Sequence, residues 1–463
     1  MDRRISARSV QWLSVQSSEE VQVGDPILIG PDIRYADADG VQVAYQRWGK
    51  GDDALIIVPG LISNIDLNLE TAEYREWIER LSKRMQVIVF DKRGQGLSDR
   101  TVDVPGPEQR MDDVSAVARA VGLEAFSLFG NSEGAATALL YAATYPDHVR
   151  KVCVFGGFAR FSNAPGYDHM FAEDQIRKSI KYWGTGASGY SFVPDQMPAF
   201  RNQIARYERA CCTPNGYRAM LETNFRIDIR AVLGEVKVPV LVMHRRDDRA
   251  VPVANGRYLA DSLSNADYIE FATGGHIHWF GDGAVVAAET EKFLLAHHGP
   301  DIAPPSVLAT VLFTDIVDSS AALVQMGDIA WRNLLDRHDR RSATLIEEFG
   351  GVFVKSTGDG LLATFDGPGR AVRCAKAMNG AVGELGVKIR AGLHIGEVQH
   401  RGEDIAGMAV HVAARVLGKA DPETVIITGP LNDLIAGSGL KTRPAGEHEL
   451  KGLPGIWPLF SVA

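Results

Sequence analysis

Ser127-Leu128-Phe129-Gly130-Asn131-Ser132-Glu133-Gly134 decides the fold of the larger part of this 463-residue chain. An apolar run ends in Gly-x-Ser-x-Gly, and the small residues Ala135-Ala136-Thr137-Ala138 follow. The pattern predicts a strand, a sharp turn and a helix, with the serine presented at the turn. Glycines on either side suit such a turn because it is strained and closely packed. Outward from it, short apolar runs alternate with helix-like stretches. The predicted strands are Ala54–Val58, Val87–Phe90, Ala125–Phe129, Val152–Phe155 and Val238–Met243. Upstream, Asp39-Gly40 separates two alternating runs, which predicts a hairpin. This alternation implies α/β architecture, a mostly parallel sheet with helices on both faces. Between Phe161 and about Glu235 the strand signal gives way to aromatic and charged residues, which predicts a helical lid over about 162–235.

Length alone predicts two domains, since 463 residues exceed what one core usually serves. Apolar content of 45% and charged content of 23% fit globular domains. A net charge of −9 argues against nucleic-acid binding, which needs a basic surface. The four cysteines are scattered without zinc-ligand spacing, so they read as reduced buried thiols, the vicinal pair Cys211-Cys212 included. No signal peptide follows Met1-Asp2-Arg3-Arg4, no run is long enough to span a bilayer, and a cytoplasmic location is expected. Gly299-Pro300-Asp301-Ile302-Ala303-Pro304-Pro305 forbids continuous helix and marks a linker. The expected layout is an N-terminal extension 1–32, a first domain 33–297, a linker 298–306 and a second domain 307–463.

Three further motifs accompany the serine turn in the first domain. Phe90-Asp91-Lys92-Arg93-Gly94-Gln95-Gly96-Leu97-Ser98 precedes it, Asp247-Asp248-Arg249-Ala250-Val251-Pro252 follows a predicted strand, and Gly274-Gly275-His276 lies beyond. With these the chain resembles the α/β-hydrolase family. The resemblance implies a triad in the order Ser132, Asp248, His276. Spacing to Val-Pro favours Asp248 over Asp247, and position after the glycines favours His276 over His278. His276 would take the serine proton, Asp248 would fix its tautomer, and the amides of Leu61 and Glu133 would hold the oxyanion. The loop Val58-Pro59-Gly60-Leu61 departs from the His-Gly that many relatives carry. The ligand is expected to be a small-molecule ester of unspecified kind. A receptor that keeps the fold without turnover is the rival reading.

In the second domain the apolar run Val307–Phe313 delivers Asp315, and a predicted hairpin, Gly351–Lys355 with Leu361–Phe365, holds Asp359 at its turn. Two carboxylates at strand ends suit a pair of hard divalent ions. With Lys355, Asp404, His411, Arg415 and Lys451 in order, the domain resembles class III nucleotidyl cyclases. That resemblance implies an α+β ferredoxin-like fold that closes ATP to cyclic AMP with two Mg²⁺ or Mn²⁺ on Asp315 and Asp359. It gives Lys355 and Asp404 the purine edge, Arg415 the charge on the reacting phosphate, and Lys451 the triphosphate. His411 stands where many relatives have a ribose-orienting asparagine. It also implies a homodimer through this domain, each site drawing on both subunits. A hydrolase with a vestigial cyclase and a non-catalytic signalling module are the rival readings. His394 is expected to be structural.

Overall fold

The computed structural model describes residues 31–100, 104–193, 198–296, 306–401 and 404–463. The expected N-terminal extension and linker therefore lie almost wholly outside the described residues.

Among these residues two sheets form. The first has eight strands: β1 (Arg34–Asp37), β2 (Gln42–Trp48), β3 (Ala54–Val58), β4 (Gln86–Phe90), β5 (Phe126–Asn131), β6 (Val149–Phe155), β7 (Val240–Arg245) and β8 (Ala266–Phe271). Their order is β1-β2-β4-β3-β5-β6-β7-β8. β1 and β2 form the antiparallel hairpin, β2 runs antiparallel to β4, and the pairs from β4 to β8 are parallel. The central strands β3 and β5 are buried almost throughout, as expected of a sheet covered on both faces. β8 carries no run of apolar residues; Ala266-Asp267-Tyr268-Ile269-Glu270-Phe271 is a half-exposed edge strand that no apolar pattern marks. Between β6 and β7 the described residues form only helices and loops, among them the helices Arg201–Cys211 and Pro214–Asn224.

The second sheet comprises β9 (Val307–Ile316), β10 (Gly351–Ser356), β11 (Gly360–Phe365), β12 (Ile389–Arg401), β13 (Asp404–Ala406), β14 (Val425–Thr428), β15 (Thr442–Glu449) and β16 (Ile456–Val462). The order is β10-β11-β9-β12-β14-β16-β15, with β13 hairpinned onto β12. The pairing is antiparallel except between β12 and β14. Helices Asp328–Glu348 and Pro368–Gly383 pack together against this sheet.

Residues Asp32–Ala463 are one compact unit, and the two sheets share an apolar core. One buried cluster contains Val58, Ile88 and Leu139 from the first part and Leu308, Leu312 and Leu434 from the second. Polar contacts sit beside it. Glu108, at the start of helix Pro107–Ala120, accepts the Gly369 amide at 2.9 Å and the Arg370 amide at 3.2 Å. It thereby satisfies two of the first amides of helix Pro368–Gly383, where the helix dipole favours negative charge. Arg370 adds ion pairs to Glu108 and Asp112. Gly106 and Gly437 sit where a Cβ would run into Ala436 O and the Thr223 side chain, so the backbones meet closely.

Candidate active site

Ser132 has φ of +54°, a left-handed conformation costly for a residue with a side chain. Its neighbours explain how the turn closes. A Cβ at Gly134 would lie 2.3 Å from Val58 O, and one at Gly130 would lie 2.6 Å from Ala135 Cα. Glycine alone lets the helix Gly134–Thr144 pass this close to β3. The Ser132 amide is held by Phe155 O at 2.9 Å, and its hydroxyl makes no hydrogen bond among the described residues.

His276 Nδ1 meets Asp248 Oδ2 at 2.7 Å. The other carboxylate oxygen accepts the amides of Ala250 and Val251 at 2.9 and 2.8 Å. Burial pushes Asp248 up, but His276 and His244 outweigh it and hold the carboxyl well below its ordinary range. An ionised Asp248 fixes the Nδ1–H tautomer, which leaves Nε2 as the base. Asp247 does something else: its two oxygens accept the amides of Gly274 and Gly275 and pin the histidine loop. His278 is fully buried among Trp77, Phe129, Phe155 and Trp279. Burial and nearby Arg245 drive its pKa far down, so it is a neutral core ring.

Ser132 and His276 line one cavity of about 490 Å³ whose wall is mostly apolar, with Phe158, Phe161, Met170, Phe192, Trp279 and Phe280 prominent. Segments between β6 and β7 supply much of it, including Phe192, Phe200 and Tyr207. Phe192 also accepts the His276 amide at 2.8 Å and stacks on its ring, so the lid steadies the base directly.

The Leu61 and Glu133 amides make no hydrogen bond among the described residues. The Leu61 carbonyl, by contrast, is fully engaged by Gln95 Nε2 at 2.9 Å and Lys92 Nζ at 3.2 Å. The Glu133 side chain turns back into the protein, where Lys92, Arg110 and Asn224 bind its carboxylate.

Sequence reasoning missed several supporting residues. Arg245 is fully buried and donates to the carbonyls of Gly274, Ile277 and Phe280 at 2.7–2.9 Å, and to Asp282. Arg110 and Asn224 were missed as well. Their partners lie far along the chain, so no local pattern signals them.

In the second part, Asp315 and Asp359 come together. Asp315 pairs in register with Gly360, and the Ile316 amide donates to Asp359 O at 2.9 Å. A Cβ at Gly360 would lie 1.9 Å from Thr314 O, so glycine is required at this position for the close crossing. Arg390, also missed, pairs with Asp315 at 2.6 Å, and Ser319 Oγ donates to Asp359. Lys355 and Asp404 form a half-exposed ion pair, which helps to hold Asp404 below its ordinary pKa range. Arg415 donates to the backbone oxygen of Lys451 at 3.1 Å, and His411 is exposed one turn earlier on the same helix, Met408–Leu417. His394 is buried against Thr428 and Trp457, and burial lowers it to about 4.

Residues 53–209 match the family model described as alpha/beta hydrolase fold, and this stretch is an alpha/beta hydrolase domain. Serine hydrolase BPHL of Mus musculus is 25% identical over 256 residues, covering 53% of this chain and 77% of that protein. A pimeloyl-[acyl-carrier protein] methyl ester esterase of Neisseria meningitidis is 27% identical over 212 residues, covering 42% of this chain and 81% of the relative. Among solved structures, an esterase from Exiguobacterium antarcticum superposes with a TM-score of 0.51 at 17% identity, covering 58% of this chain and all of that one, a likeness of fold alone. The adenylyl cyclase CyaB from P. aeruginosa covers 34% of this chain and 94% of its own, with a TM-score of 0.33 at 19% identity, too low to carry an argument. No helix among the described residues is long and apolar enough to cross a membrane.

Proposed function

We propose that the first domain is a serine hydrolase acting on carboxylic esters with an apolar part. The 2.7 Å His276–Asp248 bond, on a ring that shares a cavity with a strained Ser132, carries this reading. Ser132 Oγ attacks the ester carbonyl while His276 Nε2 takes the hydroxyl proton. The tetrahedral oxyanion rests on the Leu61 and Glu133 amides, the C–O bond breaks, and the alcohol leaves with the proton from His276. Water, deprotonated by the same ring, then releases the acid and restores the serine. Phosphonylation of Ser132 by a fluorophosphonate, read by peptide mass, and hydrolysis of p-nitrophenyl esters test it. A wild-type protein that stays unlabelled and hydrolyses no acyl length, yet melts higher with a small apolar ligand, would favour a receptor.

A second activity is favoured by two juxtapositions: the backbones of Asp315 and Asp359 meet on adjacent strands, and the Lys355 side chain pairs with Asp404. We infer an adenylate cyclase in the second domain. Asp315 and Asp359 fit a divalent pair, since both present hard oxygen donors at one end of the sheet and substrate phosphates would complete the shell. Mg²⁺ or Mn²⁺ bound there would supply acidification of the ribose 3′-hydroxyl and neutralisation of phosphate charge. Arg390 would yield part of its hold on Asp315. Lys355 would donate to adenine N1 and Asp404 accept from the exocyclic amine, while Arg415 and Lys451 bind phosphate oxygens. The donor and acceptor now satisfy each other, and ATP would insert its base edge between them. Guanine presents the opposite pattern, so ATP should exceed GTP in kcat/KM. Exposed Val324, Ile329, Val352 and Met408 support a homodimer through this domain. Metal-dependent formation of cyclic AMP by the full chain is the test, and a better rate with GTP would overturn the base assignment.

A further inference from the structure

The two amides of the proposed oxyanion hole come from different loops, Leu61 after β3 and Glu133 after β5. One side chain from a third loop touches both residues. Lys92, just after β4, lies with Nζ 3.2 Å from Leu61 O and 3.2 Å from Glu133 Oε2. Its backbone is itself fixed, because the Lys92 amide donates to Ser63 Oγ at 3.2 Å. The adjoining Asp91 accepts the amides of Ile65 and Leu97. Lys92 is buried and does not line the cavity, so it acts from behind the hole.

Pairing alone does not account for this ammonium. Arg110 already neutralises Glu133 through the other carboxylate oxygen, and Asn224 Nδ2 adds a bond at 3.2 Å. Two basic side chains and one carboxylate share the cluster, so a protonated Lys92 has no anion of its own in a dry place. Such a charge is costly in a resting protein. It gains a partner when negative charge develops on the substrate oxygen beside Leu61 and Glu133, and that is where preorganised charge accelerates acyl transfer.

We propose that Lys92 is a positioning residue of the oxyanion hole, tying the Leu61 carbonyl to the Glu133 carboxylate so that the two loops hold as one rigid pair, and placing its positive charge behind them. The proposal rests on the hydrolase reading above. It leaves Ser132, His276 and Asp248 unaltered and concerns only how their product, the oxyanion, is received. Burial lowers the Lys92 pKa, the Glu133 charge opposes it, and Arg110 lowers it further, which gives the charge a readout of its own in alkaline solution.

The test compares wild type, Lys92→Met and Lys92→Arg for ester hydrolysis, phosphonylation of Ser132 and thermal melting. Lys92→Met keeps the length and removes the charge. It should lower kcat by about ten- to a hundredfold, less than outright loss of an oxyanion donor, with KM within about twofold because the cavity wall is untouched. Lys92→Arg should keep most of kcat and move the alkaline limb of the kcat profile upward, since guanidinium does not titrate there. A Lys92→Met protein that folds and keeps kcat within twofold overturns the clamp, as does a loss falling on KM alone. Should Lys92→Met not fold, the Lys92→Arg profile decides, and an unmoved alkaline limb overturns the clamp. A wild type neither phosphonylated nor hydrolytic removes the hydrolase reading and the clamp with it, an outcome distinct from all the others.

Discussion

The Arg245 guanidinium makes its hydrogen bonds to residues 274–282, around His276. A buried guanidinium is costly unless its donors are met, and here Nη1 and Nη2 are met by the loop carbonyls and Asp282. Arg245→Met should therefore loosen His276, destabilise the protein by about 3–5 kcal/mol, and cut ester hydrolysis more than tenfold while Ser132 stays in place. Equal hydrolysis by the variant would show that the loop holds itself. Ser132→Ala should abolish hydrolysis with the melting temperature unchanged, because the hydroxyl makes no hydrogen bond among the described residues and alanine keeps the same left-handed backbone. Asp315→Ala should abolish cyclic AMP formation and leave ester hydrolysis intact; cyclic AMP at the wild-type rate would sink the metal assignment. At this scale the sequence exposed residues that a local backbone constraint advertises. Ser132 sits between two glycines, His276 follows two more, and Asp248 precedes a turn closed by its own carboxylate. Arg245, Arg110 and Arg390 carry no such mark, since their roles lie in partners reached across the fold.

Strands and turns obey the same division. β3 lies where its apolar run ends, at Ala54 and Val58, because a strand buried on both faces cannot admit polar residues. β8 carried no pattern to read because an edge strand exposed on one side need not be apolar, and Asp267 and Glu270 interrupt any apolar run. The Gly-Asp-Gly hairpin was legible as a turn, but the reason for its second glycine was not: only the packed sheet reveals Thr314 O 1.9 Å from where a Cβ would stand. Gly360→Ala should push β11 off β9, cost about 1–3 kcal/mol, and remove cyclase activity by displacing Asp359, while hydrolysis persists. Retention of both activities and full stability would mean that the crossing relaxes freely.

Across the whole molecule, Asp433 of the second domain stands near Asp228, Arg160 and Arg230 of the first, and burial followed by the Asp228 charge raises it to about 6. A carboxyl with a raised folded pKa stabilises the protein below its unfolded value near 4, and that contribution is lost as pH rises through about 6. Wild type should therefore lose melting temperature between pH 4 and 7 relative to Asp433→Asn; parallel curves would refute the coupling. The proposed dimer has its own test. Asp315→Ala and Arg415→Ala homodimers should each be inactive as cyclases, and their randomised equal mixture should regain about a quarter of wild-type activity through heterodimers with one intact site. Verified exchange without recovery would place each site within one chain or make the two sites interdependent. The sequence read the two halves as separable, because alternation of elements says nothing about which outer faces meet. In the structure the apolar cluster runs through both. Evolution could not have traded either half as a spare part without also rewriting the seam, for a new neighbour would need to offer Glu108 its helix end and Gly437 its narrow gap.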